Sequence, residues 1–518
     1  MTPSAAWGLA LGLAAAVYDP LTRAADSKAL GVGLVVLTLV ALRLPQWRRA
    51  MAWPRAALAL LLGVTSLSLS WSAHPSLAPL FPWAIASAIG LAVPRDEAPT
   101  TAAYAAAALV TTEAGLRLAG LPAGGAGNAN WLGLPLVLAL PALLEASRTS
   151  AHRWPWLALA ATAGALVLGS RAAVVGLLVA VAVTARRRAV TAALLGVVLL
   201  AGLFQRGAIR DALAGRLHIW SASLQDVRPH GHGAGSFGWV YREGQGALLR
   251  PLSLPEAASR YVPARSAHHD LIQVTVESGW LGATLLLVVL LGLVLLLERE
   301  GRLAALALTT AGLADVPLQL PASAVFLGLL VARLPDPAPS PSARSFVLPG
   351  AIAIALVTLV AEAAPRWWFQ RQLSAWQAQP APAPEALVPL AARDPEARLA
   401  LAATQLDLAQ PRAALRSLEP APVPDLGVML LRGRAYLQLN QPELAARAFR
   451  GALHRHPALV RGWLGLAESE RRAGALDRAD AALDALVPLL PHDSRVAELR
   501  EQLRRDRIEA ETRRPLPP

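Results

Sequence analysis

The chain has 518 residues, of which 55% are hydrophobic and only 16% are charged. A soluble protein carries about 25% charged residues, so this composition is typical of a protein embedded largely in a membrane. Because the sequence contains no cysteine, it excludes disulfide bonds and thiolate chemistry, and any metal ion would need histidine and carboxylate ligands.

The formal net charge of +13 does not by itself indicate nucleic-acid binding. The arginines fall at the ends of apolar segments and in two polar regions, and Lys28 is the only lysine. Arginine at the ends of apolar segments is what membrane topology requires, so we interpret most of the positive charge as a topology signal.

Apolar segments of the length needed to cross a bilayer recur through the first two thirds of the chain. The first has no charged segment before it and no convincing cleavage site, so we expect a retained helix and not a signal peptide. We predict 12–13 membrane spans, near residues 5–18, 28–44, 56–72, 77–93, 101–118, 131–145, 155–169, 171–185, 189–205, 269–297, 303–316, 317–334 and 345–364.

The segments between these spans predict their orientation. With the N-terminus inside, arginines concentrate on the cytoplasmic side, whereas the short loops on the other side hold few basic residues, which follows the positive-inside rule. This orientation places residues 206–268 and the C-terminal region on the external, periplasmic face of the inner membrane.

The predicted organisation is all-α throughout. Residues 1–205 carry spans one to nine, and residues 206–268 form a large external loop. Residues 269–364 carry spans ten to thirteen, residues 365–394 are a Pro/Ala-rich linker, and residues 395–518 form a helical repeat domain.

A period of 34 residues marks the repeat domain. Residues of matching character stand 34 apart at Gly433 and Ala467, Ala445 and Ala479, Phe449 and Leu483, and Pro457 and Pro491. The pattern resembles the tetratricopeptide repeat, in which small residues let two antiparallel helices approach and proline ends the second. We expect two regular repeats after an irregular one, with a docking surface for a peptide or protein partner. A generic helical hairpin domain is the alternative.

Most of the residues suited to catalysis or substrate binding lie between 206 and 282. A polar segment with Arg216 is followed by a glycine-rich stretch, 229–237. The region closes with His268 and His269, and after nine further residues comes Gly279-x-x-Gly282. An external stretch rich in glycine is costly to order, which hints at a function for it.

The pattern of histidine, a polar residue, nine residues and Gly-x-x-Gly resembles the O-antigen ligase family, which is related to O-antigen polymerases and bacterial protein O-oligosaccharyltransferases. The family usually has Asn, Ser or Gln where this chain has His269. The register favours His268 as the catalytic position, because assigning His269 would leave eight residues in the nine-residue gap.

Three further segments resemble the family in the same chain order. They are Gly127–Leu132, which contains Asn128 and Asn130 but has Ala129 where the family has proline; Gly169–Ala172, which contains Arg171; and Ala314–Gln319, an Asp-x-Pro segment. The resemblance spans roughly residues 120–335. It implies a glycosyltransferase of the cell envelope that moves a preassembled glycan from undecaprenyl diphosphate to an acceptor hydroxyl, as in lipopolysaccharide biosynthesis.

This reaction needs a base for the hydroxyl proton and cations for the departing diphosphate. His268 suits the base, because histidine titrates near neutral pH. Arg171 and Arg216 are the candidates for the diphosphate, since a guanidinium stays charged and offers a planar fork to phosphate oxygens. The candidates for substrate binding are Asn128, Asn130, Glu277 and His269.

We expect neither a metal nor another cofactor. The sequence contains no Asp-x-Asp pair, the arrangement with which many glycosyltransferases hold a divalent ion, and this favours arginine as the counter-charge. A metal held by His230, His232 and the later histidines is the weaker alternative.

The expected partners are a lipid-linked glycan donor, the membrane, and a lipid, glycan or protein acceptor. Within the class, ligase, polymerase and protein O-glycosyltransferase remain open, although the repeats tilt the choice slightly towards a protein- or peptide-linked acceptor. A membrane scaffold or transporter whose repeats recruit partners is the non-enzymatic alternative.

Overall fold

The computed structural model describes most of the chain outside residues 119–205. The described residues are 2–16, 24–43, 53–72, 76, 78–118, 206–264, 266–312, 318, 321–335, 347–378, 387–388, 391, 395–419, 425–487, 490 and 494–512. The predicted spans near 131–145, 155–169, 171–185 and 189–205 lie outside these residues.

Every regular element in these ranges is helical, which confirms the all-α class. The first twelve helices are α1 (Pro3–Ala16), α2 (Ala24–Arg43), α3 (Trp53–Ser68), α4 (Phe81–Ala92), α5 (Ala98–Leu118), α6 (Arg206–Ser223), α7 (Phe237–Leu249), α8 (Leu254–Ser259), α9 (Asp270–Leu296), α10 (Arg299–Gly312), α11 (Pro321–Ala332) and α12 (Val347–Ala378). The remaining seven are α13 (Pro395–Asp407), α14 (Pro411–Leu418), α15 (Leu426–Gln438), α16 (Pro442–Arg455), α17 (Val460–Arg472), α18 (Leu476–Leu486) and α19 (Ser494–Thr512).

These helices belong to two compact units. The first unit comprises Met1–Leu217, Val227–Phe237 and Ser266–Arg371. The second unit comprises His218–Asp226, Gly238–Arg265 and Gln372–Pro518. The stretch from α6 to the start of α9 is therefore shared, because part of it belongs to the first unit and part to the second.

Small residues bring the helices of the first unit into close contact. A Cβ atom on Gly12 of α1 would lie 2.2 Å from the carbonyl oxygen of Ala105 in α5. A Cβ atom on Gly90 of α4 would lie 2.5 Å from the side chain of Val331 in α11. Small residues at such positions let the backbones of two helices approach closely, which increases the van der Waals contact between them.

Two helices in the described ranges have the length and apolar character needed to cross a membrane: Trp53–Trp71, which includes a final 3₁₀ turn, and Asp270–Leu296. Four shorter apolar helices accompany them, at Pro3–Ala16, Leu30–Leu42, Phe81–Ala92 and Ser323–Ala332. The larger number of spans therefore stays a prediction from the sequence.

Both long helices carry large apolar side chains on their outer faces. Trp53, Leu60, Leu67 and Trp71 are exposed along the first, and leucines 281, 287, 291 and 295 are exposed along α9. The spacing in each helix keeps these side chains on one side. A continuous apolar face of this kind marks a surface that meets lipid or another protein.

The second unit is built from three consecutive helix pairs, α13–α14, α15–α16 and α17–α18, followed by α19. Each pair turns through one residue with positive φ, namely Ala409, Asn440 and Gly474. In each turn the next N–H donates to the carbonyl five residues earlier: Gln410 to Gln405, Gln441 to Tyr436 and Ala475 to Glu470. The first helix of each pair therefore ends in the same way, with a left-handed residue and a hydrogen bond that spans five residues.

The ring of Phe449 on α16 packs against glycines of the two neighbouring helices, α15 and α17. A Cβ atom on Gly433 would lie 2.7 Å from this ring, and a Cβ atom on Gly465 would lie 2.4 Å from it. The ring therefore fills space that only glycine leaves open on α15 and α17.

Helices α7 and α8 belong to the core of the second unit. Leu249 and Ala257 pack against Ala458, which follows α16. His456 beside it is buried, and its Nε2 lies 3.0 Å from Oε1 of Gln245. Burial lowers the pKa of His456 to about 4, and the nearby charge of Arg242 acts in the same direction.

We predict that the second unit loses stability in acid through His456. The folded state binds this proton only near pH 4, whereas an unfolded chain binds it near pH 6.5. The stabilisation is therefore complete above pH 6.5 and falls as the pH drops towards 4, by at most roughly 3 kcal/mol. Thermal unfolding between pH 7.5 and 4.5 should show a smaller pH dependence in His456→Gln. The exposed neighbour His454, changed to Gln, should leave it as in the wild type.

Candidate functional site

Helix α9 begins directly after the two histidines of the sequence pattern. His269 is the N-cap residue, and its Nδ1 accepts a long, 3.5 Å hydrogen bond from the N–H of Ile272. His269 therefore stands at a capping position, where Ser, Thr, Asp and Asn are the preferred residues.

His268 has a different geometry from its neighbour. Its backbone is left-handed, with a φ of 48°, and its side chain is partly exposed. For a residue other than glycine this conformation costs on the order of 1 kcal/mol, and it persists only where the surroundings impose it. Strain of this kind concentrates at functional sites, which makes His268 the more noteworthy of the two histidines.

A chain of hydrogen bonds fixes the backbone that carries His268. The side chain of Gln273 accepts a hydrogen bond from the N–H of Ala267 at 2.9 Å through Oε1. Through Nε2 the same side chain donates to Oε1 of Glu277 at 3.0 Å. Glu277 is buried, and the backbone of Gly235 and Phe237 also hydrogen-bonds to its carboxylate. Gln273 therefore links Glu277 to the backbone of Ala267, the residue before His268.

Helix α9 breaks at Gly279, where φ is 69° and ψ is −168°. The break deprives nearby backbone groups of their intrahelical partners, and the glycine-rich loop, 229–237, supplies replacements. The backbone N–H of His232 donates to the carbonyl of Val276 at 2.8 Å, and the N–H of Gly233 donates to the carbonyl of Glu277 at 2.9 Å. The N–H of Trp280 donates to the carbonyl of Pro229 at 3.1 Å.

Glycine is required on both sides of this contact because backbone meets backbone. A Cβ atom on Gly231 would lie 2.4 Å from the carbonyl oxygen of Glu277. A Cβ atom on Gly279 would lie 2.1 Å from the carbonyl oxygen of Pro229. The first glycine of the Gly-x-x-Gly pattern thus has a structural role, since it admits the loop.

The other side of the glycine-rich loop is held by the end of the Trp53–Trp71 helix. Ser68 Oγ accepts from the N–H of Ala234 at 3.0 Å, and Ser72 Oγ donates to its carbonyl at 3.1 Å. The ring of His230 meets Trp71 edge-on, with centroids 5.6 Å apart. The loop is therefore fixed between two apolar helices.

Asp270 ties the start of α9 to a third segment. It is buried, and its Oδ2 accepts from the N–H of Leu318 at 3.2 Å. Leu318 belongs to the Asp-x-Pro segment, Ala314–Gln319, whose other residues lie outside the described residues. Two of the segments singled out in the sequence thus come together here.

The structure gathers some of the predicted site residues. His268, His269 and Glu277 lie together at the start of α9 with the glycine-rich loop. Arg216 lies on α6, half exposed, and forms no ion pair with any residue in the described ranges. The candidates Asn128, Asn130 and Arg171 lie outside the described residues.

The histidines of the glycine-rich loop occupy unlike surroundings. His230 is exposed against Trp71, whereas His232 is buried. Among the described side chains, no three His, Asp or Glu residues are grouped so as to hold a metal ion.

Comparison of the chain with protein-family models, with curated proteins and with solved structures gives no match.

Sequence reasoning missed Gln273, Ser68 and Ser72. Gln273 had a local signal, because it precedes Glu277 by four residues and the two share a helical face. Ser68 and Ser72 had no local signal, because serines near helix ends are common and their partner, Ala234, lies some 160 residues further along the chain.

We predict that Gly231→Ala weakens the first unit. The added Cβ would meet a backbone oxygen at 2.4 Å and impose a positive φ on alanine, which together cost about 2 kcal/mol or more. Thermal unfolding of the full-length protein in detergent is the measurement. Gly215→Ala on α6 is the matched control, because a Cβ there meets nothing within 4 Å. Equal thermal unfolding midpoints for the two variants would contradict the close contact between Gly231 and the backbone of α9 at Gly279.

Proposed function

We propose that the protein is a membrane glycosyltransferase of the O-antigen ligase type. It transfers a preassembled glycan from undecaprenyl diphosphate to an acceptor hydroxyl on the external face of the inner membrane. The observation that carries this proposal is the left-handed backbone at His268, fixed by the chain of hydrogen bonds from Glu277 through Gln273 to Ala267.

The exposed tryptophans support a site at the membrane boundary. Trp53 and Trp71 stand at the two ends of one apolar helix, 18 residues apart, which corresponds to about 27 Å. That length matches a hydrocarbon core of about 30 Å, and indoles favour the headgroup level. Because Trp71 contacts His230, the glycine-rich loop would lie where a polyprenyl diphosphate meets water.

In this reaction His268 is the general base. The acceptor oxygen forms a bond to the anomeric carbon of the glycan as the bond from that carbon to the diphosphate oxygen breaks. The hydroxyl proton passes to the imidazole, and undecaprenyl diphosphate leaves with the electron pair. A partly exposed histidine on a fixed backbone suits this step, since general-base catalysis depends first on placement.

Arginine is proposed to stabilise the diphosphate as it leaves. Arg171 and Arg216 are the candidates, and each would form charge-assisted hydrogen bonds to phosphate oxygens. Arg216 is half exposed on α6 and free of ion pairs to described residues, so its guanidinium is available for an anion. Asn128 and Asn130 are proposed for contacts to donor or acceptor.

The nature of the acceptor separates the alternatives within the class. With a lipid A core as acceptor the enzyme would be a ligase, and with a growing glycan it would be a polymerase. With a protein as acceptor it would be a protein O-glycosyltransferase. Glycan analysis of a deletion strain distinguishes them by which product disappears. A scaffold or transporter would give no product from a lipid-linked glycan without added nucleotide, and that assay tests the class as a whole.

We predict that His268→Ala abolishes transfer while the protein still inserts and folds. His269→Asn should keep activity, because asparagine supplies the N-cap that His269 provides. The measurement is complementation of a deletion strain, read on a glycan gel, with thermal unfolding as the check on folding. Full activity in His268→Ala, or its loss in His269→Asn, would reverse the assignment.

We predict that transfer continues in the presence of a chelator. Arginine, and not a divalent ion, carries the counter-charge in the proposed reaction, so removal of metal should leave the rate within about twofold. The purified protein with lipid-linked glycan and EDTA provides the measurement. Activity lost in EDTA and restored by one divalent ion would overturn the arginine assignment.

A further inference from the structure

Gly238–Arg265, here called the inserted segment, contacts the C-terminal helices through paired charges. Arg242 Nη2 lies 2.7 Å from Oδ2 of Asp425, the residue before α15. The next residue, Glu243, accepts from Nη1 of Arg455 at 2.7 Å. Two adjacent ion pairs of opposite polarity specify one register, because a shift of the segment would bring like charges together.

A buried polar contact adds to this specificity. Gln245 is 1% exposed, and its Oε1 lies 3.0 Å from Nε2 of His456. Its Nε2 donates to Oη of Tyr241 at 2.6 Å and to the carbonyl of Val262 at 2.8 Å. A buried amide is costly to leave without hydrogen-bond partners, so the contact between Gln245 and His456 favours the position of the inserted segment seen here.

The fit of the backbone is equally close. A Cβ atom on Gly246 would lie 1.9 Å from the carbonyl oxygen of Arg455. Leu249 and Ala257 pack against Ala458, and the ring of Tyr261 meets that of His456 edge-on. Charge, buried hydrogen bonds and shape therefore converge on Asp425 and on the short stretch from Arg455 to Ala458.

The inserted segment is also bounded by residues of the candidate site. It follows Phe237, the last residue of the glycine-rich loop, and it precedes Ser266, two residues before His268. Both its ends are thus covalently joined to the stretches that surround the proposed base. Whatever holds the segment limits the freedom of these stretches.

We propose that the surface formed by Asp425, Arg455, His456 and Ala458 is a receptor for the chain's own inserted segment. The helical repeats clamp this segment, and through its ends they position the residues on either side of His268. The positioning role rests on the proposed function, whereas the clamp itself does not. This surface of the repeats is therefore occupied by the chain itself and not by a recruited protein.

The test compares two alanine substitutions on α7 in the full-length protein. Gly246→Ala places a Cβ against the Arg455 carbonyl, whereas Gly238→Ala meets nothing within 4 Å and is the matched control. Amide hydrogen exchange in residues 239–249 should accelerate about tenfold or more in Gly246→Ala only. The turnover number of transfer should fall by about tenfold or more in the same variant, because misplaced groups slow the chemical step.

A charge swap provides a second, independent variant. Asp425→Arg should accelerate exchange in the inserted segment and lower turnover, since it places Arg242 beside a like charge. Arg242→Asp combined with Asp425→Arg should restore both, which a general loss of folding would not allow.

Each result decides between the parts of the proposal. Unchanged exchange in Gly246→Ala and in Asp425→Arg overturns the clamp. Faster exchange with unchanged or increased turnover overturns the positioning role. A wild-type protein without transfer activity rejects the proposed function and the positioning role with it, while the exchange measurements still judge the clamp.

Discussion

A helix that breaks in a buried part of a protein must find new partners for its backbone, because an unpaired buried N–H or C=O group costs free energy. In α9 the break at Gly279 leaves groups on Val276, Glu277 and Trp280 in this position, and the glycine-rich loop satisfies all three. The loop is held in turn by Ser68 and Ser72. The arrangement at the start of α9 therefore depends on a contact between backbones.

This contact explains why a carboxylate is buried beside the proposed base. Glu277 receives hydrogen bonds from the loop on one side and from Gln273 on the other. Gln273 then holds the N–H of Ala267 and with it the left-handed backbone of His268. The two histidines of the pattern are thereby given separate roles, since one caps α9 and the other is held in a strained, partly exposed position.

The second unit follows a different principle, in which local units repeat and stack. Three turns of the same geometry join its helix pairs, and Phe449 fills the space that two glycines leave. The inserted segment joins this unit through contacts far apart in sequence, such as Arg242 with Asp425 and Gln245 with His456. A module that the sequence suggests for recruiting partners thus holds a part of its own chain.

The sequence by itself determined the features that depend on neighbours along the chain. Its apolar runs and its period of 34 residues predicted helices throughout, because helical packing repeats at short intervals. The nine-residue gap after His269 favours His268 as the base only through the resemblance to the O-antigen ligase pattern. Only the tertiary structure decided that α9 breaks at Gly279 against the glycine-rich loop, and that the inserted segment belongs with the C-terminal helices. These contacts join backbones, or single side chains some 160 or more residues apart, and they leave no periodic signature in the sequence.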